Sequence, residues 1–457
     1  MSLPKQIQDH GALDAAYRFL SNSRVQHDDI AQPHRTRTRQ ACEGRGVVLC
    51  VQDSTELDFT TRIATQGLGP IGNGSGTGML LHNALAVSLE GELLGVLDQH
   101  FVVRGELRGE ESSAERAARW RESDLWGDTV ERIGAPPTGC RFVSISDRAS
   151  DCMETMERCD AAGAGFVVRA GRKRNVEGGT DKLWPWAAAL PSCGTTSVHV
   201  TRQAAASRRH GKEARKAEVS IRFGQVTLDP PWRSDHASRQ VWVVYAREDQ
   251  PPAPAKPAPP ATDTSAIGRR KAKLATPPIV EPVEWLLLCS EPVKNEADAR
   301  RMLDWYTRRW IIEEWHRALK EGCRAEDSQL DHADDIKRLV VMQSVVACWL
   351  VQMRDMAEAV RETDERADDP KVLQAMMPGQ WVKVVAMYLK KKRADQLTPR
   401  EFWSAIARKG GWLGRKSDMR PGWKVIWRGW TDFSQWVEFA DLAESNGFFG
   451  PSSCAER

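Results

Sequence analysis

Two short apolar runs, Gly46-Val-Val-Leu-Cys-Val-Gln52 and Arg141-Phe-Val-Ser-Ile-Ser146, are each followed by an aspartate, Asp53 and Asp147. Runs of this length without alternation read as strands buried on both faces, the pattern of a sheet covered by helices. An aspartate closing such a run sits where the strand emerges at the edge of the sheet. A chain carrying this pattern twice is therefore expected to be α/β.

A third acid, Glu313, lies in an amphipathic segment. At about 100° per residue, Arg309, Glu313, Arg317 and Lys320 fall within roughly 60° of Tyr306 around a helix axis. Ile311, Ile312, Trp315, Ala318 and Leu319 fall on the opposite side and are expected to face the core. A polar stripe alone is an ordinary solvated helix face. Together with two strand-end aspartates it suits a different purpose. Three carboxylates offer the oxygen donors that hard divalent cations take, and a pair of such ions about 4 Å apart serves phosphoryl transfer.

The bulk numbers narrow the class. With 457 residues, 41% hydrophobic and 28% charged, the chain can form two or three domains with substantial cores. A net charge of +3 excludes a polycation, so any nucleic-acid contact must come from local basic patches. Candidates are Arg208–Lys216, Arg269–Lys273 and Lys390–Arg393. The ten cysteines show no C-x-x-C pair and no Cys/His cluster at zinc spacing, so reduced, mostly buried thiols of a cytoplasmic protein are expected. The apolar stretch Leu339–Met353 carries Gln343, Ser344 and Gln352 and reads as a buried helix, so no membrane role is expected. Eighteen tryptophans against four tyrosines, most of them at or after Trp285, read chiefly as core and interface.

Along the chain, residues 1–45 are expected to be helical, followed by a glycine-rich loop, Gln66–Gly78, that lacks the Gly-Lys-Ser/Thr ending of a phosphate loop. A hairpin over Leu80–Val103, turning at Glu90-Gly91, comes next. Helix over 110–133, the Asp147 strand, a helix over Asp151–Ala161 and the strand Gly165–Arg169 follow. This order describes a mixed sheet of ribonuclease-H type over 46–170, whose closing helices arrive only in 291–355. A β-rich insertion fills 171–290 and carries a Pro/Ala tract, Pro251–Pro260. The region 356–457 is expected to be helical.

Several segments together resemble one family. The spacing Tyr306-x2-Arg309-x3-Glu313-x6-Lys320 is similar to the signature of bacterial DDE transposases of the insertion-sequence-4 family, and closest to the transposon-five group. Val51-Gln-Asp-Ser-Thr-Glu-Leu-Asp-Phe59 and Asp147-Arg-Ala-Ser-Asp151 resemble the segments around that family's first and second catalytic aspartates. Phe166–Arg169, Trp285–Pro292 and Ala405–Gly411 also match, and the likeness runs from about residue 12 to 436. The resemblance implies that Asp53, Asp147 and Glu313 are the catalytic carboxylates and bind two Mg²⁺, with Mn²⁺ able to substitute. The implied activity is cut-and-paste DNA transposition by strand cleavage, hairpin formation and strand transfer. Tyr306, Arg309, Arg317, Lys320 and Arg169 would contact DNA, and Trp285 would stack on a flipped base. The implied partners are double-stranded DNA, as transposon terminal repeats and target, and a second copy joined through 356–457 in a homodimeric synaptic complex. The expected location is the bacterial cytoplasm, at the nucleoid during the reaction.

The sequence departs from that pattern in two places. Ala149 stands where the family has a glutamate after Asp-Arg. The family's additional helical segment, which reads the terminal repeats, is not found ahead of residue 12. The second expectation is accordingly an N-terminally shortened regulator that dimerises with full-length transposase and inhibits it. A generic ribonuclease-H-like nuclease is a third, disfavoured by the Trp285 and Tyr-Arg-Glu-Lys elements.

Overall fold

The computed structural model describes residues 7, 9–105, 120–179, 181–200, 215–231, 234–251, 282–359, 365–390, 393–415 and 421–446. Outside these lie most of the expected helix before residue 120, the tract Pro251–Pro260 beyond its first residue, and the basic run Arg269–Lys273. Most of Arg208–Lys216, together with Lys391 and Lys392, also falls outside.

In chain order the elements are α1 (His10–Leu20), α2 (His27–Cys42), β1 (Gly46–Asp58), β2 (Gly69–Ile71), β3 (Gly76–Val87) and β4 (Leu93–Val102). Next come α3 (Leu125–Ile133), β5 (Cys140–Ser146), α4 (Met153–Ala161), β6 (Gly165–Arg169), β7 (Asn175–Val176), β8 (Asp181–Lys182) and α5 (Leu183–Ala189). They continue with β9 (Ser192–Val200), β10 (Arg215–Leu228), β11 (Arg239–Arg247), β12 (Glu284–Cys289), α6 (Glu296–Thr307) and α7 (Trp310–Arg317). The last are α8 (Ala333–Ala359), α9 (Pro370–Met376), α10 (Gly379–Tyr388), α11 (Pro399–Lys409) and α12 (Trp423–Ser445). Chain contacts divide the protein into two compact units, one of Met1–Ala41, Ser54–Gly109 and Ile311–Arg457, the other of Cys42–Asp53 and Glu110–Trp310.

The second unit is α/β with a mixed sheet. β1, β5 and β6 run parallel; β12, β11 and β10 follow antiparallel, and β9 and the short β7 pair with β10. Strand residues alternate between faces. Phe166, Val168, Leu286, Leu288, Val241, Val243 and Tyr245 join Val130 of α3, Met156 and Cys159 of α4, and Leu183 and Ala187 of α5 in one buried cluster. α6 packs on β5, β6, β9, β10 and β11, burying Ala299, Met302, Leu303 and Trp305. Helices on both faces explain why the strands read as unbroken apolar runs. The segment 171–290 thus continues the sheet with β7 to β12.

The first unit pairs β3 with β4, and the end of β1 lies beside β3, where the Phe59 N–H donates to the Thr77 carbonyl at 2.9 Å. α8 packs on β4, α11 and α12. It contains the one stretch among the described residues, Ala333–Met356, long and apolar enough to cross a membrane, and 61% of that window is buried. Its packing marks it as a core helix, as expected. The tryptophans of this unit are largely packing groups. Trp381 stacks on Trp430 at 3.8 Å between ring centroids, with Trp403 and Trp349 against the same ring. All the described cysteines are free, most of them buried.

Two sequence expectations need correcting. β1 does not stop at Asp53 but runs on to Asp58, because Glu56 and its neighbours find polar partners while Leu57 is buried. The single helix expected to carry Tyr306 through Lys320 is broken. The Arg308 N–H is shared between the Asp304 and Trp305 carbonyls and the Arg309 N–H reaches Tyr306, so the bonding tightens to three-residue spacing and α6 ends. α7 then starts afresh, and Ala318–Gly322 follows as a π-helical stretch.

Candidate active site

The strand register assembles part of the site. Val51 pairs with Ile145, and Ser146 with Val168. Asp53 follows Val51 by two residues, and Asp147 and Arg169 each follow the last paired residue by one, so all three stand at the same end of neighbouring chain segments about 4.8 Å apart. Level residues in a parallel ladder point to the same face. Arg169 is opposite in parity to Phe166 and Val168, so this is the face that α6 covers. The apolar runs supply a rigid ladder, and the first acidic residue past its paired portion is in each case the aspartate.

Asp147 leaves β5 directly, as expected, and caps a single turn over Arg148–Ser150, accepting from the Ala149 N–H at 2.9 Å. Ala149 is exposed, so the residue that departs from the family pattern brings no side-chain contact to this turn. The turn is clamped from behind by Asp151, a fully buried carboxylate. Its Oδ1 accepts from Arg174 Nη2 at 2.6 Å, and its Oδ2 accepts the Gly171 and Arg172 N–H groups at 2.8 Å each. Gly171 is required by this close approach, since a Cβ there would stand 2.8 Å from the Arg148 Cβ. Nothing in the sequence marked Arg174 as the partner of Asp151; only the fold brings residues 23 apart together.

From α6, Tyr306 is buried and its ring meets Trp285 edge-on at 5.5 Å. Trp285 is half-buried on β12. Arg169 Nη2 donates to the Glu284 carbonyl at 3.0 Å, and its buried Nε has no hydrogen-bond partner. Burial pushes the Arg169 guanidinium below its usual pKa, with the Tyr306 side chain working in the opposite direction. Arg309 Nη1 donates to Asp53 Oδ2 at 2.8 Å, with both side chains about 15% exposed. Six of the nine expected site residues thus belong to one unit and gather around one sheet edge: Asp53, Asp147, Arg169, Trp285, Tyr306 and Arg309.

Glu313, Arg317 and Lys320 belong to the other unit. Glu313 is half-buried on α7, while Ile312 and Trp315 beside it are fully buried, which bears out the apolar side expected for this segment. Arg317 pairs with Glu314 at 2.8 Å and is largely exposed. Lys320 sits in the π-helical stretch, not on a regular continuation of α6, so the single stripe from Tyr306 to Lys320 does not exist as one helix face. The break at Arg308 and Arg309 and the wider π turn each reset the angular count. Lys320 donates to the Glu56 carbonyl and pairs with Glu326 at 3.1 Å. Burial acts to raise the Glu56 carboxyl, but the Gly72 N–H and the Arg104 guanidinium outweigh it and hold it below the usual range.

Among the described residues, no group of three or more His, Cys, Asp or Glu side chains is gathered as a metal site. The pair Asp53 and Asp147 nonetheless has the chemistry a hard cation needs. Mg²⁺ is commonly held by one or two carboxylates, with water and substrate phosphate completing its oxygen shell. No protein-family model matches this chain.

Proposed function

We propose that this chain is a DNA transposase with a ribonuclease-H-like catalytic core, acting on the ends of a mobile element and joining them to target DNA. The observation that carries the reading is the convergence of Asp53, Asp147 and Arg169 at one end of the β1, β5 and β6 ladder, beneath the helix that supplies Tyr306 and ends just before Arg309. Parallel β1, β5 and β6, with the β3–β4 hairpin between β1 and β5 in the chain, support the ribonuclease-H comparison. Asp53, Asp147 and Glu313 would hold Mg²⁺, which would supply charge stabilisation at phosphorus during in-line displacement. Arg309 balances the charge of Asp53, and Arg169 presents a desolvated cation suited to a backbone phosphate. Trp285, edge-on to Tyr306, offers an aromatic face to an unstacked base. DNA hairpin formation requires tight bending, and removing one base from the stack relieves it. Synapsis would pair two copies through the C-terminal helices, in the bacterial cytoplasm.

The test is a supercoiled plasmid carrying the repeats that flank this gene, incubated with purified protein and Mg²⁺. Wild type is expected to nick and hairpin the repeat ends, and Glu313→Gln to do neither while retaining its circular dichroism and melting temperature. Nicking by both proteins would remove Glu313 from the chemistry. Binding without cleavage by either, with inhibition of a longer homologue, would favour a regulator of transposition over an enzyme.

A further inference from the structure

α7 adjoins no further α-helical turn on either side. It is eight residues long, preceded by the break at Arg308 and Arg309 and followed by the π-helical stretch. A helix this short is not stable by propensity, and its rotation about its own axis must be set by what its side chains grip. Glu314 and His316 grip polar partners on other elements. Glu314 Oε2 accepts from Arg354 Nη1 of α8 at 3.1 Å. His316 Nε2 accepts from Asn83 Nδ2 of β3 at 3.1 Å. Positions 314 and 316 lie about 200° apart around the axis, so the two tethers resist rotation in both senses.

The second tether is one end of a buried chain of hydrogen bonds. Asn83 Oδ1 accepts from Gln99 Nε2 of β4 at 3.0 Å, and the same nitrogen donates to Ser344 Oγ of α8 at 2.9 Å. Ser344 in turn donates to the Val340 carbonyl at 2.7 Å. His316, Asn83, Gln99 and Ser344 are 7%, 0%, 4% and 1% exposed. Gln99 Nε2 donates both to Ser344 and to Asn83, and Asn83 Nδ2 donates to His316, which leaves His316 Nε2 as an acceptor and its proton on Nδ1. Four buried polar side chains spanning two strands and two helices are a costly way to fill a core that leucine and phenylalanine could fill. Such a network fixes geometry, and Glu313 stands on the same short helix, one residue from the Glu314 tether and three from the His316 tether.

We infer that Asn83 and His316 are positioning residues that set the azimuth of α7 and so the direction of the Glu313 carboxylate. The inference rests on Glu313 being a metal-binding carboxylate, as proposed above. Supporting residues of this kind typically change metal affinity or activity about 10–100-fold when removed.

The experiment compares wild type, Asn83→Leu, His316→Phe, His316→Gln and Glu313→Gln. Single-turnover nicking of the repeat-bearing plasmid is followed against Mg²⁺ concentration, with melting temperature and calorimetric Mn²⁺ titration in parallel. Asn83→Leu and His316→Phe are expected to raise the Mg²⁺ needed for half-maximal nicking about tenfold or more while melting within a few degrees of wild type. His316→Gln, whose amide can still accept from Asn83, is expected to recover most of the loss. An unchanged Mg²⁺ dependence in Asn83→Leu overturns the inference, and so does a loss in His316→Gln as large as that in His316→Phe. If wild type does not nick, the transposase reading fails separately and the Mn²⁺ titration decides. Weaker binding in Asn83→Leu, in the same direction as in Glu313→Gln, supports the positioning role, and affinity equal to wild type refutes it.

Discussion

The candidate carboxylates are held in place by two kinds of structure. Asp53 and Asp147 are placed by backbone: parallel ladders between β1, β5 and β6 fix their position, and β-branched and aromatic residues on either side bury the strands. Glu313 is placed by side chains, through Arg354 and the Asn83–His316 contact around a short helix that runs into a π-helical stretch. A strand register cannot shift by one residue without turning every side chain to the wrong face. A helix azimuth can drift by degrees. The aspartates should therefore tolerate substitutions in their surroundings until the fold itself fails, whereas Glu313 should lose function gradually while the fold persists.

The largest expected effect tests the strand side. Arg174→Ala leaves Asp151 as an unpaired carboxylate with no solvent exposure, which costs about 3–5 kcal/mol. Urea denaturation should show that loss in one cooperative step, with nicking falling only in proportion to the unfolded fraction. A large drop in nicking by fully folded Arg174→Ala would mean that the Asp147 turn is soft, and the contrast with α7 would collapse. Next in size, Trp285→Ala removes an aromatic face worth about 1–3 kcal/mol to a stacked base. Hairpin formation should fall roughly tenfold, while first-strand nicking stays within about twofold. Equal losses in both steps would assign Trp285 to packing against Tyr306.

The smallest effect concerns α2 in the other unit. Burial holds the His34 imidazole below its usual pKa, with Arg37 and Arg35 adding to the shift, and its Nε2 accepts from the Val96 N–H at 3.1 Å. A histidine with a depressed folded pKa takes up its proton more readily when unfolded. Its contribution is therefore present above about pH 6.5 and lost as pH falls below that toward the folded value. The melting temperature should drop by a few degrees between pH 7.5 and 5.5, and His34→Gln should flatten that drop. A wild-type profile that His34→Gln leaves unchanged would assign the acid sensitivity to another group, of which His27, also depressed by burial, is the nearest.

The sequence made the strand-side acids legible because an unbroken apolar run followed by an acid has few structural meanings. The α/β class, the hairpin after β1 and the buried character of α8 came from the same periodicities. The helix side was less legible. A count at 100° per residue assumes an unbroken α-helix, and nothing in Trp305-Tyr-Thr-Arg-Arg-Trp310 announces the tightened turn that resets it. The extension of β1 past Asp53 was hidden because Ser54, Thr55 and Glu56 look like loop residues until Arg104 and the Gly72 N–H are seen to hold Glu56. Asn83 and Gln99 gave no signal either. A polar residue in a strand reads as solvent-facing, and only the packing of α8 on β4 reveals that these two face inward.

The division of the chain has a consequence for how the protein is made. The second unit is complete in sequence once Trp310 has been synthesised, whereas the first unit starts at the N-terminus and must wait for Ile311 and everything after it. On the ribosome the sheet carrying Asp53 and Asp147 can fold while β3, β4 and α1 still lack the helices that cover them. Those early segments would be the ones exposed to chaperones and proteases, and a premature stop between Trp310 and Glu313 would release a folded half bearing two acids and no third.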